Sequence, residues 1–67
     1  SWYKRAAAMG DGDAQVEIAK RYLAGDGVAK HRGLAMAALR RALSTSYITP
    51  AAKEEAARLR RRSARTT

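Results

Sequence analysis

The sequence predicts an all-α chain of antiparallel helix-turn-helix repeats, a fragment of an α-solenoid. Three observations carry that expectation. Ala, Arg, Leu, Lys and Glu dominate the 67 residues, while Phe is absent, Pro occurs once and β-branched residues are few, a composition that favours helix. Helix-like runs are divided by glycines where a helix must end. The pattern of residues 2–7 returns at 38–43, an offset of 36.

A chain of this length makes at most one domain and buries only ~60% of the surface its unfolded form exposes, so its stability is marginal. It has no Cys and a single His, which excludes disulfides and a structural zinc site as reinforcement. Close helix packing or a neighbour has to supply what is missing. No apolar run approaches the ~18 residues needed to cross a bilayer. The opening SWYKRAAAMG has neither a signal-peptide core nor an initiating Met, so the chain reads as a piece of something longer. Absence of Cys fits either redox environment and leaves the compartment open.

Taken in order, residues 2–9 read as a short helix closed by Gly10. In the following GDGD, Asp13 or Asp11 can cap a helix from about Ala14 to Ala24, because a short carboxylate accepts from the free N–H groups of the first turn. Ala14, Ile18 and Tyr22 make one apolar stripe on it. Asp13, Glu17, Lys20 and Arg21 fall on the other side, with Glu17 placed to pair with Lys20 and Arg21. Gly25 ends this helix, Gly27 gives a second free bend, and Val28 returns to the apolar surface, pinned between the helices it joins. The next helix starts between Lys30 and Gly33 and runs to about Ser44, with Ala35, Met36, Leu39, Ala42 and Leu43 on one side. After the break STSYITP, Thr49 as cap and Pro50 as first helical residue start a last helix to about Arg62, whose thin stripe is Ala52, Ala56, Leu59 and Ser63. The tail ARTT is expected to fray.

The offset aligns Tyr3 with Leu39, Lys4 and Arg5 with Arg40 and Arg41, and Asp13-Ala14 with Thr49-Pro50. A helix pair joined by a glycine turn, with a period near the ~34 residues of a tetratricopeptide unit, is the pattern of an α-solenoid. The expected organisation is therefore 2–9 as the second helix of a preceding repeat, 13–44 as one complete repeat, and 49–63 as a capping helix.

Over residues 2–43 the chain resembles the Sel-one-like repeat, a relative of the tetratricopeptide repeat. The matching positions are Trp2-Tyr3, Ala6-Ala7, Gly10, Ala14-Gln15, Ile18, Tyr22, Gly25-Asp26-Gly27-Val28 and Ala35. The chain departs from the family pattern at Ala19, where Gly is usual, and at His31, where Asp is usual. Ala38 and Leu39 stand where the next aromatic pair would be, and residues 46–67 barely match. The resemblance implies an adaptor or scaffold for protein complexes, in bacteria often exported or linked to the envelope. It also makes YLAGDGVAK, residues 22–30, an inter-helix turn.

Catalytic chemistry finds no footing. GDGVAK satisfies neither phosphate-loop pattern and follows no strand, and DGDAQ lacks the later ligands and the glycine of a calcium loop. His31 lies between Lys30 and Arg32 with no carboxylate near in sequence, which suits a surface or capping role. Ser44, Thr45 and Ser46 sit where hydroxyls serve turns and caps. The expectation is a non-catalytic chain with no cofactor and no metal.

Net charge is +8, and residues 53–67 carry six Lys/Arg against two Asp/Glu. Arg58, Arg61, Arg62 and Arg65 recur at i, i+3, i+4 and i+7, on a face about 100° wide. They are either a solvated helix end that suits the dipole or a contact for an anionic partner. The expected function is protein–protein interaction through the polar side of the Ala14–Ala24 helix, at Glu17, Lys20 and Arg21, with the arginine face second. Self-association through an uncovered Trp2 end is a further expectation. A basic module for nucleic acid, acidic protein or lipid headgroups is the alternative; no recognised nucleic-acid motif favours it. A third reading is a purely structural end that covers an array.

Overall fold

The computed structural model describes residues 11–65, of which 64 and 65 by their backbone alone. The expected helix at 2–9, with Trp2 and Tyr3, lies outside the described residues. Three helices follow: α1 over Gly12–Ala24, α2 over Arg32–Ser44 and α3 over Pro50–Arg65. The fold among these residues is all-α.

Helix α1 begins two residues earlier than expected. Asp11 is the cap, its Oδ1 accepting from the amides of Asp13 at 3.0 Å and Ala14 at 3.3 Å. Gly12 can enter the helix because its amide donates to the carbonyl of Tyr47 at 2.7 Å, so the first turn rests on the α2–α3 loop. At the other end Gly25 adopts φ 73°, and its amide and that of Asp26 both donate to the Arg21 carbonyl. The expected left-handed cap is present. Gly27 is left-handed as well, at φ 76°. Replacing Gly25 by Val should destabilise the fold by more than about 1 kcal/mol, because a β-branched residue resists positive φ. A thermal melt reads this directly, and an unchanged midpoint would remove the turn from the account.

His31 caps α2: its Nδ1 accepts from the amide of Leu34 at 3.0 Å, and its own amide donates to the Tyr22 carbonyl at 3.0 Å, closing the turn. The ring of Tyr22 meets the imidazole edge-on, with centroids 6.5 Å apart. His31→Ala should lower stability by about 1 kcal/mol and His31→Asp should restore it, since both His and Asp offer a cap acceptor. Equal melting of all three proteins would show the cap to be idle. Val28 is half-buried and stands apart from the core cluster, so it does not pin the two helices as expected. The backbone bonds of the turn hold the geometry instead.

Thr49 and Pro50 start α3 as expected, with Thr49 Oγ1 accepting from the Ala52 amide at 3.2 Å. The helix continues through Ala64 and Arg65, beyond the expected stop near Arg62. Its C-terminal turn is held from α2, where the Arg32 guanidinium donates to the carbonyl of Ser63. At its N-terminus the Asp13 carboxylate takes the Thr49 amide at 2.9 Å and the Thr49 hydroxyl at 2.8 Å. A carboxylate from α1 thus faces the positive end of α3's dipole and a guanidinium from α2 the negative end.

The core is small in volume. Val16, Ala19, Ala35, Ala38, Leu39, Ala42 and Ala56 form its buried cluster, and only Leu39 and Val16 are large and fully buried. Alanines at the contacts let the three helices approach closely while contributing little apolar area each. Of the stripes expected on α2 and α3, Ala35, Leu39, Ala42, Ala56 and Ser63 are buried, Met36, Leu43, Ala52 and Leu59 are half-buried against them, and Ala38 is buried as well. The stripe expected on α1 is corrected: Ile18 and Tyr22 are half-buried at the margin, while Ala14, Gln15, Val16 and Ala19 are buried.

Candidate interaction surface

Helices α1 and α3 run in the same direction, with α2 antiparallel to both. Their N-termini meet at Asp13 and Thr49, two residues separated by 36 in sequence. Farther along, Lys20 reaches Glu17 on its own helix at 3.0 Å and Glu55 on α3 at 3.5 Å. Beyond that, Leu23 and Ala24 of α1 share a hollow with Leu59, Arg62 and Ser63 of α3.

The expected contact residues Glu17 and Lys20 therefore lie on the α1–α3 seam, half-buried, rather than on a face turned away from the fold. Arg21 is half-buried near the Gly25–Gly27 turn. A groove of about 410 Å³ runs along this seam, with Val16 and Ala52 as its apolar floor and Asp13, Glu17, Glu55 and Arg58 at its walls. Hydrogen bonding to Glu17 raises the Lys20 pKa above its ordinary 10.5, with burial working against it and the charges of Glu17 and Glu55 adding to it. The pair's contribution is therefore complete below that value and is lost as pH rises through the raised one. With the Lys20 side chain 39% exposed, the pair is worth about 0.2–1 kcal/mol.

On the arginine face, Arg61 and Arg62 are exposed, whereas Arg58 is 59% exposed and held 3.6 Å from Glu55. Arg65 closes α3, and its side chain lies outside the described part. The expected face is thus divided: Arg58 belongs to the groove with α1, and Arg62 borders the hollow beside Leu23 and Leu59. Tyr47, 76% exposed in the α2–α3 loop, is the most exposed large apolar side chain among the described residues, and no sequence pattern singles it out beyond its place in a break.

Among the described residues no three His, Cys, Asp or Glu side chains are grouped to hold a metal ion, and no helix is long and apolar enough to cross a membrane. Comparison of the chain with protein-family models, with curated proteins and with solved structures finds no match. What the surface can do chemically rests on its own groups: hydrogen bonding and ion pairing along the grooves on either side of α3.

Proposed function

We propose that the chain is a non-catalytic protein–protein interaction module of tetratricopeptide-like helical repeats, similar to Sel-one-like repeats, serving as an adaptor or scaffold. One observation carries the reading. Asp13, in the first turn of α1, and Thr49, which caps α3, stand one 36-residue offset apart in sequence and are bonded to each other. That is the relation expected between the first helices of successive repeats, with α2 as the second helix of the first. In such arrays the first helices line the inner face, which makes the α1–α3 groove, with Glu17, Lys20, Glu55 and Arg58, the favoured contact surface. On this reading α3 is a cap: Lys53, Glu54 and Arg61 leave its outer side charged and exposed.

Selection of peptides against the chain, followed by NMR mapping, tests this. Selected peptides should perturb the amides of Glu17, Lys20, Ala52 and Arg58. Failure to select any binder, or binders that leave the groove unperturbed, would count against it. A second reading, an anionic partner held by the arginines of α3, is favoured by the exposure of Arg61 and Arg62. It predicts an affinity for polyanions that falls with added salt.

A further inference from the structure

The two grooves beside α3 differ in charge. Toward α1 the walls carry Asp13, Glu17 and Glu55 against Arg58. Toward α2 an open hollow of about 520 Å³ is lined by Ala37, Arg40, Arg41, Leu43, Ser44 and Arg60, and no carboxylate lines it. Its arginines come from two helices and all three are exposed.

We infer that the α2–α3 hollow docks an acidic segment of a partner protein, its carboxylates held by Arg40, Arg41 and Arg60. The inference rests on the reading of the chain as a protein-interaction module and supplies the chemistry of one partner. Three guanidiniums without a carboxylate among the described residues, on a chain of net charge +8, call for anionic groups from outside. Each guanidinium offers the fork of donors that takes a carboxylate two bonds at a time. A protein segment is favoured over nucleic acid by the floor. Ala37 and Leu43 are half-buried between the arginines and suit an apolar side chain interleaved with acids. No aromatic ring lines the hollow to stack a base, a contact that single-stranded binding depends on. A second copy of this chain is disfavoured by its own positive charge.

The probe is a labelled peptide alternating glutamate with leucine, titrated against the 67-residue chain by fluorescence anisotropy, with a DNA oligonucleotide of equal charge and vesicles of anionic lipid as competing probes. The peptide should bind, weaken with salt, and lose about tenfold in affinity in the variant Arg40→Gln, Arg41→Gln, Arg60→Gln, the effect of three exposed ion pairs removed together. The variant Arg61→Gln, Arg62→Gln should bind like the parent, and circular dichroism should show both variants folded. Equal loss in both variants, or none in the first, would overturn the assignment to this hollow while leaving the interaction module standing. Tighter binding of the oligonucleotide or the vesicles than of the peptide would overturn the partner class, and with it the support this hollow lends to protein interaction.

Discussion

Leu39→Ala should leave the chain largely unfolded at room temperature. Leu39 is fully buried and is, with Val16, one of two large side chains in a buried cluster that among the described residues is otherwise alanine. Truncating a buried Leu costs about 2–5 kcal/mol, from lost transfer and from the cavity left behind. A chain of this size rarely has more than about 3–5 kcal/mol in total. The neighbours Ala35, Ala38, Ala42 and Ala56 have no length with which to refill the space. Leu34, 45% exposed on the same helix, is the control: Leu34→Ala should cost under about 1 kcal/mol. Urea denaturation of both variants decides the matter, and similar midpoints would mean that the core does not hold the fold.

Gly12→Ala should destabilise by about 1–3 kcal/mol, although alanine is the better helix former by nearly 1 kcal/mol. An added Cβ would stand 2.6 Å from Cβ of Ile48 and 2.8 Å from Cγ2 of Thr45. These atoms lie at or near the backbone of the α2–α3 loop, which the Gly12 amide ties to the carbonyl of Tyr47. Neither side can yield without breaking that bond. The loop would be pushed from α1, and with it Thr49 from Asp13. Thermal melts should show a lower midpoint, and loss of protection from hydrogen exchange at the Thr49 amide should accompany it. A variant as stable as the parent would show that the loop is free to move off α1.

Helix ends were legible in the sequence wherever one residue decides them. Gly25 reads as a left-handed cap, and Thr49-Pro50 as a helix start, from local chemistry alone. On α2 and α3 the fully buried positions fall within the expected stripes, Ala38 excepted. On α1 the expected stripe failed: Gln15, Val16 and Ala19 are buried alongside Ala14, while Ile18 and Tyr22 are half-buried. Gly12 looked like a loop residue, since nothing local shows a loop packed across a helix N-terminus. The bond between Asp13 and Thr49 was foreshadowed by their common place in the 36-residue offset, but an offset gives correspondence, not contact. Glu17 pairs with Lys20 as its spacing suggests. The reach of Lys20 to Glu55 and the convergence of Arg40 and Arg41 with Arg60 depend on how α3 lies against the other two helices, which no local pattern encodes.

Sedimentation equilibrium joined to a thermal melt by circular dichroism, run on the chain over a range of concentrations, tests the central claim most directly. About three repeats are normally needed to close a solenoid's core, and alanine dominates the core of this chain. The account predicts a broad melt at low temperature in dilute solution, with association and a rising midpoint as concentration increases. A strict monomer with one sharp, concentration-independent transition at high temperature would contradict it, and would make the three helices a self-sufficient domain.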